Sequence, residues 1–211
     1  IGFSRGFDLY SDGESPESHL TGTAENTFRQ AAAWLERYAH LPFFLFVHTY
    51  EPHAPYDAPE PWKLKFADSD YDGAPVRLGP DADAEEEKQH IRDRYDGCIA
   101  YTDHWAGWFL DRLDNLGLRE NTMVVLFSDH GEEFWEHGDV GHTSQIYDEV
   151  LWTPLIMRMP GNDYHPVRIS RQVALTDVFA TVLDILDISV SGVYDSYSLL
   201  PLMRNDQDVI Y

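Results

Sequence analysis

Lysine is scarce in this chain, with three among 211 residues: Lys63, Lys65 and Lys88. All basic residues together number 15 against 37 acidic ones, a formal charge of -22. A surface of that sign repels nucleic acid and anionic membranes, so no nucleic-acid or membrane partner is expected. An anionic substrate would need a local cationic or metal-bearing pocket. Cysteine is scarcer still. Cys98 stands alone, which excludes an intrachain disulfide and any zinc site built on several cysteines. No apolar run approaches the roughly 18 residues of a membrane-spanning helix. The opening, Ile1-Gly2-Phe3-Ser4-Arg5, lacks a methionine and reads as the middle of a longer protein.

What is present is a globular composition. Hydrophobic residues make up 43% and aromatic residues 14%, which excludes a disordered chain. A chain of this length buries a sizeable core without disulfide or metal staples. Between Thr23 and about His40, Phe28, Ala31, Ala32, Leu35 and Tyr38 recur at helical spacing, and Pro42 ends the segment. Phe43-Phe44-Leu45-Phe46-Val47 is a short continuous apolar run, as in a strand buried on both faces. The stretch from His48 to about Asp83 is proline-rich and aperiodic, a long loop of the kind that carries function. A long helix is expected from Ala84 to about Leu116, with Gly117 closing it. Thr122–Phe127 and Leu155–Met157 read as strands, 144–149 as a helical turn, Asp177–Leu186 as a helix and Asp208–Tyr211 as the start of a strand. Helices alternating with short apolar strands predict an α/β fold with a mostly parallel sheet flanked by helices. Ligands of such sheets sit beyond the carboxyl ends of strands.

Two strand ends run into histidine-bearing loops. Ser128 to His142 packs three histidines, five carboxylates and three glycines into fifteen residues. Asp129 and His130 offer an oxygen and a nitrogen donor suited to a divalent cation. The other loop, His48-Thr49-Tyr50-Glu51-Pro52-His53-Ala54-Pro55-Tyr56, holds His53 between two prolines that stiffen the chain. An imidazole so held donates a hydrogen bond to an anion or passes a proton near neutral pH. Trp62, Tyr71 and Trp135 are read as packing residues.

Six stretches then carry a resemblance. They are Gly2-Phe3-Ser4-Arg5-Gly6-Phe7-Asp8, the run from Phe46-Val47-His48 to Pro52-His53-Ala54-Pro55-Tyr56, and Tyr95-Asp96-Gly97 through Tyr101-Thr102-Asp103. They continue with Ser128-Asp129-His130-Gly131-Glu132 and Glu136-His137-Gly138, Tyr147-Asp148-Glu149 through Thr153-Pro154-Leu155-Ile156, and Val173-Ala174-Leu175-Thr176-Asp177. In this order they resemble the sulfatases, within the alkaline-phosphatase-like superfamily. The resemblance implies a formylglycine-type sulfuric ester hydrolase. Asp129 and His130 match two of its metal ligands. Calcium is usual in sulfatases, whereas phospho- and phosphono-hydrolase relatives hold Mn2+ or Zn2+. His53 matches the histidine that contacts the sulfate and the ester oxygen. His142 falls where many sulfatases carry lysine, and a histidine there binds the ester oxygen or protonates the leaving alkoxide. The implied substrate is a small-molecule or carbohydrate sulfate ester.

The chain also departs from the pattern. The family's nucleophile sits in a C/S-x-P/A-x-R motif, which no segment here reproduces. Cys98-Ile99-Ala100-Tyr101-Thr102 lacks the arginine and reads as buried helix. Two further aspartate ligands, expected ahead of the nucleophile, have no counterpart either. Residues 1–211 are therefore expected to be a partial sulfatase catalytic domain, truncated at both ends, without the nucleophile segment or the smaller C-terminal subdomain. Alone it is expected to be inactive and, with an uncovered sheet edge, a possible homo-oligomer. Two alternatives stay open: a phosphodiester or phosphonate-monoester hydrolase of the same superfamily, and a non-catalytic binding module.

Overall fold

The computed structural model describes residues 2, 4–11, 23–67, 85–143, 145–161, 166–192 and 194–204. In chain order these form α1 (Thr23–Tyr38), α2 (Glu85–Asn115), a 3-10 turn (Arg119–Asn121) and β1 (Val124–Phe127). Then come β2 (Glu133–Phe134), β3 (Val140–Gly141), α3 (Asp148–Leu151), β4 (Leu155–Arg158), α4 (Asp177–Ile185) and α5 (Leu200–Met203). The strand expected at Asp208–Tyr211 and the residue Tyr71 lie outside the described residues. No helix among the described residues is long and apolar enough to cross a membrane.

The chain divides into two compact units, 1–118 with 132–149, and 119–131 with 150–211. In the first, α1 packs on α2. One cluster joins Ala24, Ile91, Cys98, Tyr101 and Trp105 with Tyr56, Ala58 and Phe134, and a second joins Ala31, Ala32, Leu35, Phe109 and Leu113. The three acids Glu85, Glu86 and Glu87 face the positive end of the α2 dipole. Gly117 ends the helix at φ +72°, with the Leu118 amide donating to the Leu113 carbonyl at 3.2 Å and the Gly117 amide to the Asp114 carbonyl at 3.0 Å. That is a Schellman stop, and it needs the left-handed residue that glycine supplies without strain. Trp62 and Trp135 pack against the first cluster, as expected.

The apolar run 43–47 departs from its expectation. Phe43, Leu45 and Val47 pack inward, while Phe44 and Phe46 are 70% and 57% exposed. The segment has strand periodicity with one covered face, and it is in no ladder among the described residues.

In the second unit, β1 pairs with β4 in register Val124↔Arg158 through Phe127↔Leu155. This pairing is antiparallel, as is β2 with β3 in the first unit. The mostly parallel sheet expected from the sequence is thus not what the described ladders show. A parallel pair needs a long crossover, usually a full helix. Between β1 and β4 the described residues offer only the short β2–β3 hairpin and the four-residue α3. In α4, the buried Asp177 accepts from the Ala174 amide at 2.8 Å and the Tyr197 amide at 2.9 Å. Thr181 accepts from the Leu199 amide at 2.8 Å, so α4 holds the 194–200 segment through two buried side chains.

Candidate active site

The first unit brings His53 and His142 together, and α2 is the support for both loops. Arg94 donates from Nε to the Tyr56 carbonyl at 2.9 Å and from Nη2 to Asp57 Oδ1 at 2.7 Å. Two residues earlier on the helix, Arg92 donates to the Phe134 carbonyl at 3.1 Å. α2 thereby fixes the backbone after His53 and the hairpin before His142.

The His53 loop is anchored at its other end by Glu51. This nearly buried carboxylate accepts from the Ala24 amide at 2.7 Å and from Thr49 Oγ1 at 3.1 Å. The Ala24 amide is one of the donors that the first turn of a helix leaves unpaired, so Glu51 ties the loop to the start of α1. The His53 amide donates to the Tyr50 carbonyl at 3.0 Å, closing a tight turn. Its ring stacks on Tyr50 with centroids 4.4 Å apart. His53 Nδ1 lies 2.9 Å from the Ala54 carbonyl. A carbonyl only accepts, so Nδ1 carries the proton, and Nε2, 3.4 Å from the Tyr50 hydroxyl, is the ring's accepting nitrogen. Tyr56, at the end of the loop, takes φ +54°, a strained value for a tyrosine. Arg94 on its carbonyl and the rings of Tyr95 and Phe134 on its side chain hold it there.

The second loop is built on two adjacent glutamates. Glu133, 1% exposed, accepts from the His137 amide at 3.1 Å and the Asp139 amide at 3.3 Å, and so shapes the β2–β3 turn. Glu132 points elsewhere. Its Oε2 accepts from the Tyr56 hydroxyl at 2.7 Å, and its Oε1 lies 2.8 Å from His142 Nδ1. Burial, followed by the Glu132 carboxylate, pushes the Tyr56 phenol far above its ordinary value, so it stays a donor. The rings of His53 and His142 meet edge to face at 5.2 Å. His137, the third histidine of the cluster, stacks on Tyr147 at 3.6 Å and pairs with Glu149 at 3.3 Å.

Asp129 and His130 belong to the second unit, just past β1. The Asp129 side chain is 80% exposed. His130 Nδ1 lies 2.7 Å from the Gly131 carbonyl, which assigns the proton to Nδ1. Nε2, carrying the lone pair of the neutral ring, is 3.7 Å from Asp129 Oδ1. A carbonyl behind the ring and a carboxylate oxygen beside its basic nitrogen suit two ligands of a divalent ion. The donor types fit calcium, manganese or zinc. Among the described residues no group of three or more such donors converges.

The structure brings the expected His53 and His142 together in the first unit and sets Asp129 beside His130 in the second, and it adds Glu132 and Tyr56, which no sequence signal singles out. Both lie in stretches that resemble the family, yet nothing in the sequence marks Glu132 as the buried partner of a histidine. The Cys98 expectation holds: the thiol is 1% exposed within α2, and burial pushes it up to about 11.

Comparison with known proteins follows the same lines. The family described as Sulfatase matches residues 1–188. Arylsulfatase K of Bos taurus is 34% identical over 127 residues, covering 58% of this chain and 23% of its own length. The ulvan-active sulfatase of Formosa agariphila is 28% identical, covering 93% of this chain and 39% of its own. The solved phosphonate monoester hydrolase of Agrobacterium radiobacter superposes with TM-score 0.70 at 25% identity, over 84% of this chain and 42% of that one. The chain thus spans less than half the length of the relatives it matches.

Proposed function

The chain belongs to the sulfatase family, and from that premise we propose that it carries part of the catalytic apparatus of a sulfuric ester hydrolase of the formylglycine type. The observation that carries the proposal is the His53–His142 pair, with rings 5.2 Å apart and both Nδ1 positions engaged by oxygen acceptors. Each imidazole then works through Nε2. As an imidazolium, His53 donates Nε2–H to a sulfate oxygen. His142, also protonated, gives its Nε2 proton to the alkoxide as the S–O bond breaks, and keeps the proton on Nδ1. Asp129 and His130 would hold a divalent cation, most simply Ca2+, with Mn2+ or Zn2+ as alternatives. Such an ion supplies charge neutralisation and polarises the sulfate oxygens. The nucleophile and the remaining metal ligands are assigned to sequence outside these 211 residues, because no C/S-x-P/A-x-R motif occurs within them. The substrate is a sulfate ester of a small molecule or carbohydrate, a choice supported by the arylsulfatase and ulvan-active sulfatase relatives.

Calorimetric titration of this chain with Ca2+ and Mn2+ tests the metal assignment. Weak binding is expected, lost in Asp129→Ala. Equal binding by the variant overturns the assignment. The longer protein is expected to cleave sulfate esters, with His53→Ala and His142→Ala each lowering kcat by roughly 10²–10⁴-fold. Cleavage of no sulfate, phosphate or phosphonate ester would remove the hydrolase reading. A second reading, phosphonate-monoester hydrolysis, is favoured by the Agrobacterium radiobacter structure. The ratio of kcat/KM for matched aryl sulfate and phenylphosphonate substrates separates the two.

A further inference from the structure

We propose that Glu132 is a positioning residue, which together with Tyr56 fixes His142 in one tautomer and one orientation. The inference rests on the reading of His142 as the proton donor to the leaving group, and it concerns what makes that reading geometrically workable.

The Glu132 side chain is 6% exposed. A carboxylate that far from water has to be paired. It can only accept hydrogen bonds, so both of its partners must donate. Tyr56 donates to one oxygen at 2.7 Å, and the His142 contact at 2.8 Å on the other requires a proton on Nδ1. The tautomer of His142 is thereby decided by a neighbour, and Nε2 becomes the nitrogen that exchanges a proton with the substrate. An isolated histidine prefers the opposite neutral tautomer only modestly, so one buried carboxylate is enough to choose.

Tyr56 gives the carboxylate its own orientation. The phenol is 1% exposed and packed between Tyr95 and Phe134. Arg94 holds its backbone from α2. The chain of contacts runs from a helix, through a rigid phenol, to a carboxylate and then to the imidazole. Carboxylates behind histidines act this way in acyl-transfer and metal sites, where they hold the ring rather than touch the substrate.

Glu132→Gln should reverse the His142 tautomer. The carboxamide has the same shape with one acceptor and one donor end. If Tyr56 still donates, the amide oxygen must face it, and the NH2 group then faces His142. Nδ1 must now accept, so the ring proton moves to Nε2. In the double variant Glu132→Gln/Tyr56→Phe the amide is released to turn over, and the proton on Nδ1 is recovered. Long-range 15N–1H spectra of histidine-labelled protein, recorded where the imidazoles are neutral, read this directly. The His142 signal is assigned with His142→Gln.

The expected result is an Nδ1–H tautomer in the wild-type chain, Nε2–H in Glu132→Gln, and return toward Nδ1–H in the double variant. An Nε2–H tautomer in the wild type overturns the proposal with no variant needed, even if Glu132→Gln fails to fold. An unchanged tautomer in a folded Glu132→Gln also overturns it. In the longer protein, Glu132→Gln is expected to lower kcat about 10–100-fold with KM nearly unchanged, and Glu132→Asp to retain the tautomer with a smaller loss. Because the spectra need no substrate, absent ester cleavage would count against the hydrolase reading alone. Ester cleavage indifferent to Glu132→Gln would count against the positioning role alone.

Discussion

Replacing Gly97 by alanine sets helix propensity against packing, and the structure says which wins. Gly97 lies buried within α2, where alanine in place of glycine favours the helix by about 1 kcal/mol. A Cβ at this position, however, would sit 2.4 Å from the Trp62 carbonyl oxygen, 3.3 Å from its carbon and 3.5 Å from the Lys63 oxygen. Ordinary carbon contacts lie near 3.5–4.0 Å, so the backbone of the 59–65 turn would have to retreat by about 1 Å. That turn is not free to do so. The Trp62 carbonyl accepts from the Lys65 amide at 3.1 Å, and the Trp62 ring rests on His104 at 5.0 Å. Lys63 and Arg94 share Asp57. Overpacking of this kind costs about 1–3 kcal/mol or more. Set against the propensity gain, the net expectation is a loss of up to about 2 kcal/mol. Gly107 on the same helix is the internal control, since nothing lies within 4 Å of its would-be Cβ. Gly107→Ala should stabilise by up to about 1 kcal/mol. Urea unfolding followed by tryptophan fluorescence measures both. Stabilisation by Gly97→Ala equal to that by Gly107→Ala would mean that the Trp62 carbonyl does not crowd this position.

Two further outcomes follow from single buried groups. Cys98 is 1% exposed and pushed up to about 11, so at pH 8 it should react with a disulfide reagent only through unfolding. A native rate matching that in denaturant would contradict this, and Gly97→Ala should raise the native rate. The same shift has a sign for stability. The native thiol holds its proton above the pH where the unfolded one releases it, so its contribution is complete below about pH 9 and declines towards about 11. In the second unit, Asp177→Asn turns one of two acceptors into a donor facing the amide of Ala174 or Tyr197. The expected loss is about 1–3 kcal/mol, read as a lower urea midpoint and faster hydrogen exchange at the Tyr197 amide; unchanged exchange would mean that the carboxylate does not hold the 194–200 segment.

What the sequence disclosed and withheld follows from the range of each signal. The helices were legible because their signal is local: Phe28, Ala31, Ala32 and Leu35 repeat on one face, and Gly117 marks a stop. α1, α2 and α4 lie within two residues of their expected bounds. Strand direction is a non-local property, and the alternation of helices and strands suggested a parallel sheet that the β1–β4 ladder does not show. One local clue bore on it. The stretch between those strands lacks the apolar period of a full crossover helix, and it holds the histidine cluster instead.

The site divides along the same line. Asp129, His130 and His53 are legible in the sequence as donors at a strand end and in a proline-stiffened loop, and His142 through the resemblance to the sulfatases. Glu132 was one carboxylate among five. In β-like backbone, neighbouring side chains point to opposite faces, so Glu132 and Glu133 had to serve different partners, but which one served the histidine depended on the strand's register. The structure gives Glu133 to the amides of the hairpin turn and Glu132 to His142. A shift of one residue at the start of β2 would exchange those tasks. The hairpin register Glu133↔Gly141 is therefore as much a part of the candidate site as the histidines are. An insertion between Glu132 and Gly141 should harm His142 as surely as removing the carboxylate.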